Sequence, residues 1–77
     1  MTNTEWLIKN KIPFQNINIH IDNIKGTANI YIKDYEKIVY NIEPNDPNDE
    51  TDKINTLSVL RCFETWLDNE ATQTPML

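Results

Sequence analysis

The chain is short of the residues on which most protein chemistry depends. Among its 77 residues there is one cysteine, one glycine and one histidine, and six of its seven basic side chains are lysines, Arg61 being the exception. Cys62, alone, excludes an internal disulfide, and a reducing cytosol is the expected compartment. One glycine, Gly26, cannot build a phosphate-cradling loop. One histidine, His20, falls short of the three or four ligands a metal site needs, so neither metal nor cofactor is expected. Cys62 and His20 do not pair as nucleophile and base either. Cys62 is expected on the helix face turned away from the sheet that carries His20, and nearby acids oppose thiolate formation. No enzymatic activity is expected. The first residues lack a basic segment followed by an apolar run, and no apolar stretch exceeds a few residues. Neither a secretory leader nor a membrane span is therefore expected.

What the chain does contain suffices for one small domain. Apolar residues make up 39%, with two tryptophans, three tyrosines and two phenylalanines. That composition supports a single thin core, with a net stability of ~3–5 kcal/mol for a domain of this size. The net charge of −5 is unevenly spread. Residues 1–11 carry +1 and residues 12–42 are neutral, while residues 43–77 set eight acids against Lys53 and Arg61. An anionic C-terminal half disfavours direct contact with a phosphate backbone and favours a partner with a basic surface.

Periodicity gives the order α-β-β-β-α. Thr2 and Glu5 have capping-box spacing, Lys9 to Lys11 suit a helix C-terminus, and Pro13 stops a short first helix near Asn10. Asn16 to Asp22 alternates, with Ile17, Ile19 and Ile21 on one side and Asn18 and His20 on the other. A turn through Gly26, expected at positive φ, leads to a second strand from Thr27 to Lys33 with Ala28, Ile30 and Ile32 inward. After a turn at Asp34-Tyr35-Glu36, a third strand from Lys37 to Glu43 should point Ile38, Tyr40 and Ile42 inward. The result is an α+β fold in which a three-stranded antiparallel meander is covered on one face by the C-terminal helix.

That helix is expected over Asp49 to Glu70, with Asp49 as N-cap and Asp52 in its first turn. At 100° per residue, Thr56, Val59, Leu60, Phe63 and Leu67 form its inner face, with Leu57 and Trp66 at the margins and Cys62 outside. Ile17, Ile19, Ile30, Ile32, Tyr40, Ile42, Val59, Leu60, Phe63 and Leu67 form the expected core. Trp6 should staple the first helix onto it. Residues 1–71 read as a single domain and 72–77 as a disordered tail.

The candidate site is the acid. Asp46, Asn48, Glu50 and Asp52 alternate like the opening of a calcium loop. However, the sixth position is Thr51 where glycine is needed, and the twelfth is Leu57 where a bidentate glutamate is needed. Stabilisation of a helix N-terminus would explain Asp49, Glu50 and Asp52 but not Glu43 or Asp46. A rim that binds a partner uses all five. Glu64 and Asp68, four residues apart, extend it at about 6 Å, close to the spacing of neighbouring phosphates in one strand. Tyr31 and Tyr35 are expected at the surface, either as anchors for the same partner or, for the strand tyrosine, more commonly paired with a cross-strand neighbour.

The α-β-β-β-α order resembles the double-stranded RNA-binding domain in topology. That family docks phosphates with lysines at the start of its last helix, where this chain reads Asp49-Glu50-Thr51-Asp52, the opposite sign. The small size, the concentration of acid on one loop-and-helix region and the helix-plus-meander order are similar to phage-encoded anti-CRISPR proteins. That resemblance covers residues 3–70. It implies an inhibitor in the host cytosol that presents carboxylates where nucleic-acid phosphates would sit, on a Cas nuclease or another nucleic-acid-binding host protein. The other reading is a non-enzymatic interaction module that self-associates through an open strand edge or the polar outer sheet face. Either a monomer or a homodimer fits the sequence.

Overall fold

The computed structural model describes residues 1–33 and 35–73. It has an N-terminal helix α1 (Asn3–Lys9), strands β1 (Ile17–Asp22), β2 (Thr27–Ile32) and β3 (Lys37–Ile42), and a C-terminal helix α2 (Thr56–Asp68). The strands form one antiparallel sheet in the order β1-β2-β3. The expected α+β meander is therefore the observed fold. Asp34 and residues 74–77, which include most of the expected tail, lie outside the described residues.

α1 follows from its first four residues. Thr2 accepts from the Glu5 N–H at 3.2 Å and Glu5 accepts in return from the Thr2 N–H at 2.9 Å, the reciprocal box that its spacing predicts. The same segment closes the far end of α2. Asn3, 2% exposed, donates from Nδ2 to the Trp66 carbonyl at 2.7 Å, and its N–H reaches the Asn69 carbonyl at 2.9 Å. Thr4 Oγ1 donates to the Leu67 carbonyl at 2.9 Å. Carbonyls that a helix end leaves without partners are thus satisfied by the start of another helix. Gln73 completes the arrangement by donating from Nε2 to Asn3 Oδ1 at 2.8 Å. The Met1 amine pairs with Glu70 at 2.6 Å.

The core is centred on Ile30 and Ile32 of β2, both 0% exposed, with Ala28, Ile42, Val59, Trp6 and Trp66 around them. Leu7, Ile12 and Ile54 are also buried, although no periodic pattern marks them. Ile17, Ile19, Phe63 and Leu67 are half-buried against this cluster.

Two expectations about facing are corrected. In β3 the alternation breaks: Ile30 lies opposite Tyr40, yet Tyr31 lies opposite Ile38, so Val39 is an extra residue. This bulge turns Val39 toward the core and carries Ile38 to the outer face beside Tyr31, where it is 51% exposed. Tyr40 stays opposite Ile30 on the inner side, as expected, but on the edge strand it is 37% exposed and does not join the buried core.

In α2 the buried side is Val59 and Trp66, flanked by half-buried Cys62 and Phe63, while Leu60 is 49% exposed. The face is rotated roughly 60° from the expected one at 100° per residue. The physical reason is that α2 packs against both α1 and β3, so its buried sector lies between two neighbours and not over a single sheet. Cys62, expected outside, is accordingly half-buried against the core.

Candidate functional site

The acidic segment is not the start of the last helix. Asp49 caps only a single 3-10 turn, Glu50–Asp52, where its Oδ1 accepts from the Thr51 N–H at 2.9 Å and the Thr51 hydroxyl at 2.7 Å. The chain then runs extended, and α2 begins at Thr56 with Asn55 as N-cap. Asn55 Oδ1 accepts from the N–H groups of Leu57 and Ser58, and Ser58 Oγ accepts from the Asn55 N–H at 2.8 Å. The first turn of α2 contains no acid. The long helix from Asp49 is therefore corrected to a turn, an extended link and a shorter helix. The link exists because Ile54 is drawn into the core while its N–H donates to the Gly26 carbonyl at 3.0 Å. Asn55 and Ser58 at capping-box spacing were the sequence signal for the true start.

Gly26 is where this loop meets the sheet. Its φ of +69° bears out the expected left-handed turn, and a second constraint acts there too. A Cβ on Gly26 would lie 2.7 Å from Lys53 Cβ and would also meet Lys53 Cγ. Lys53 thus lies directly across the glycine, and its ammonium pairs with Glu50 at 3.0 Å.

The loop from Glu43 to Asn55 bounds two hollows that share Glu43, Pro44 and Asn45 as a common wall. One, of about 290 Å³, lies between the loop and α2, with Asp52, Lys53, Ser58 and Cys62 on its other sides. The second, of about 420 Å³, opens toward the β1–β2 turn, against Lys25, Thr27 and Pro47. The structure brings Glu43 and Asp52 together around the first hollow. Asp46 and Asp49 stand exposed on the same loop, each folded into a local turn; Asp46 Oδ1 accepts from the Asn48 N–H at 3.0 Å. The two hydrogen bonds from Thr51, side chain first and then backbone, hold the Asp49 carboxyl below its ordinary pKa.

Glu64 and Asp68 are exposed on α2, away from this hollow. Ser58 and Cys62 line it, and Glu64 follows Cys62 by two residues, which turns it roughly 160° away around the helix. The candidate carboxylates therefore form two groups, one on the loop and one on the helix, and not one unbroken row.

The tyrosines are less free than expected. Tyr31 is half-buried on the outer sheet face, its ring stacked on His20 with centroids 6.1 Å apart. Tyr35 is half-buried edge-on against Trp6 at 5.4 Å, with the Lys37 ammonium 5.4 Å from its ring. Tyr35 therefore works as packing for Trp6.

Among the described residues, no group of three histidine, cysteine or acidic side chains converges to hold a metal ion. No helix there is long and apolar enough to cross a membrane. The fold and this site define a small α+β domain with an acidic loop seated on a three-stranded sheet. No family model matches the chain, and neither does any curated protein or solved structure.

Proposed function

We propose that the chain is a non-enzymatic, protein-binding inhibitor that uses its loop carboxylates to occupy a basic surface meant for nucleic acid. The supporting observation is that folding uses these acids only locally: Asp46 and Asp49 accept within their own turns, and Glu50 pairs with Lys53 three residues on. None sits in the first turn of α2, where negative charge would stabilise the helix. Asp68 lies in the last turn, where negative charge opposes the helix dipole. The side chains of Glu43, Glu64 and Asp68 make no hydrogen bond or ion pair among the described residues. Exposed carboxylates of this kind add little to stability and much to association with a basic groove.

The hollows on either side of Glu43-Pro44-Asn45 supply shape as well as charge. A lysine or arginine of the partner entering the first would meet Glu43 and Asp52 together. The resemblance to anti-CRISPR proteins makes a Cas nuclease the first partner to try, with other nucleic-acid-binding host proteins next and the host cytosol as the compartment.

The experiment is affinity capture from a bacterial lysate, followed by a nucleic-acid displacement assay on the captured protein. The reading predicts stoichiometric displacement that is relieved when Glu43→Gln, Asp46→Asn and Asp49→Asn are combined. Capture only of proteins with no nucleic-acid-binding surface, or displacement unaffected by the triple variant, would contradict it.

A further inference from the structure

β1 pairs on one side only, with β2, and its other side is an edge of the sheet. The N–H of Lys33 donates to the Asn16 carbonyl at 3.0 Å. Antiparallel alternation then commits the backbone groups of Asn16, Asn18, His20 and Asp22 to the β2 ladder and directs those of Ile17, Ile19 and Ile21 outward. The Ile17 N–H is taken by the Phe14 carbonyl. Among the described residues, no protein group meets the outward N–H groups of Ile19 and Ile21 or the outward carbonyls of all three isoleucines.

The two edges of the sheet differ. β3 is bulged at Val39 and opens with Lys37, two devices that blunt an edge. β1 runs in continuous register through six residues with no proline, lysine or bulge. Its core-side isoleucines are half-buried where those of β2 are fully buried, so the core ends at β1 with apolar surface still open.

Charge points to the occupant. Two copies carrying −5 each repel through residues 43–77, whereas β1 lies in the neutral segment from 12 to 42. Its sequence Ile17-Asn-Ile-His-Ile21 is also nearly self-complementary about Ile19.

We propose that β1 is a homodimer edge, on which two copies pair antiparallel about a two-fold axis at Ile19 and join their sheets into one. In that register Ile17 faces Ile21 of the second copy and Ile19 faces Ile19, which keeps the apolar faces continuous. The two Ile19 residues bond each other in both directions, and each Ile21 N–H reaches the Ile17 carbonyl of the other copy. On the outer face Asn18 meets His20 of the second copy. Asp22, the strand's one charge, meets Asn16, whose neighbour across the ladder is Lys33, so opposite charges approach. A shift of one pair along the strand would oppose His20 to His20 and leave Ile17 against the β1–β2 turn.

Sedimentation equilibrium and amide hydrogen exchange by NMR, run on dilute and concentrated samples, test this. The expected result is a rise toward twice 9.1 kDa with concentration, accompanied by slowed exchange at Ile19 and Ile21. The amides of Asn18 and His20, already in the β2 ladder, should be slow throughout. Combining Asn18→Lys with His20→Lys sets like charges opposite across the interface and should halve the mass at high concentration. Combining Asn18→Glu with His20→Lys should restore the dimer. Both positions are exposed, so the monomer should keep its fold, which a circular dichroism melt checks. A mass of 9.1 kDa at every concentration, protection that does not change at Ile19 and Ile21, or a double-lysine variant that stays dimeric would each overturn the proposal.

Discussion

Replacing Asn3 with alanine should destabilise this domain out of proportion to the size of the side chain. Asn3 is the one buried polar residue among the described residues, and its amide joins three parts of the chain: α1, the Trp66 carbonyl of α2 and Gln73. Alanine removes two hydrogen bonds, each with a net value of ~1 kcal/mol, and leaves the Gln73 amide without its acceptor. The Trp66 carbonyl keeps only the longer bond from the Asn69 N–H, at 3.1 Å. The sum is ~2–3 kcal/mol, which at ~4–8 °C per kcal/mol for a domain of this size lowers Tm by ~10–20 °C. Asn3→Asp separates donor from shape. It keeps the volume and an acceptor for Gln73 but loses the donor to Trp66, and it places a carboxylate among the terminal carbonyls of α2. Aspartate should therefore melt below the parent even though acid at the start of α1 is otherwise favourable by ~0.3–1 kcal/mol. Urea unfolding with an unchanged slope is the assay. A loss below ~0.5 kcal/mol for alanine, the level of an ordinary surface substitution, would refute the idea that Asn3 ties the termini together.

Leu60→Ala should change stability by no more than ~0.5 kcal/mol, while Ile30→Ala should cost ~2–5 kcal/mol; equal urea midpoints for the two would mean that the buried side of α2 is misassigned. Gly26→Ala should cost ~1–3 kcal/mol, because alanine is strained at positive φ and its Cβ meets Lys53, and a Tm equal to the parent's would show that the loop does not lie against the sheet there. Stability should also vary with pH at both ends. Backbone and hydroxyl hydrogen bonds from Thr2 hold the Glu5 carboxyl below its ordinary pKa, and the Lys25 and Ile24 N–H groups do so for Asp22. With Asp49, these groups contribute stability that is present above their unfolded pKa values, near 4, and lost as pH falls through the lower folded values. The Met1 amine, raised above 8.0 mainly by its hydrogen bond to Glu70, contributes in the opposite sense, with stability that is lost as pH rises through the folded value. Urea midpoints measured from acid to alkaline pH check both limbs, and a flat acid limb would contradict the assignment.

The elements whose signals are local were legible in the sequence. Alternation in Asn16 to Asp22 and in Thr27 to Ile32, the Thr2–Glu5 box and the positive φ of Gly26 each depend on neighbours within a few residues. The start of α2, the bulge at Val39 and the burial of Asn3, Ile12 and Ile54 depend on tertiary neighbours. Asp49 and Asn55 are both good N-caps, and only the attachment of Ile54 to the Gly26 carbonyl decides between them. Val59, Leu60, Phe63 and Leu67 suggested an inner face by hydrophobicity alone, yet packing of α2 against α1 as well as β3 leaves Leu60 49% exposed and buries Trp66, expected at the margin. The acids of the candidate site were legible as residues. Their division into a loop group and a helix group was not, because it follows from where the helix begins and which side of it is buried.

The most direct test of the central claim is the association rate with the captured target as a function of salt. Asp46→Asn and Asp49→Asn keep the oxygens that accept from Asn48 and Thr51, so together with Glu43→Gln they remove charge while preserving the turns. The account predicts a Tm lowered only slightly, by the charge-dependent part of the Asp49 turn, an on-rate at low salt reduced ~10-fold and a flatter dependence on ionic strength. Glu36→Lys, at the far end of the sheet, should leave all three as they are. An on-rate and salt slope equal to the parent's in the triple variant would contradict the account, and binding would then belong to another surface.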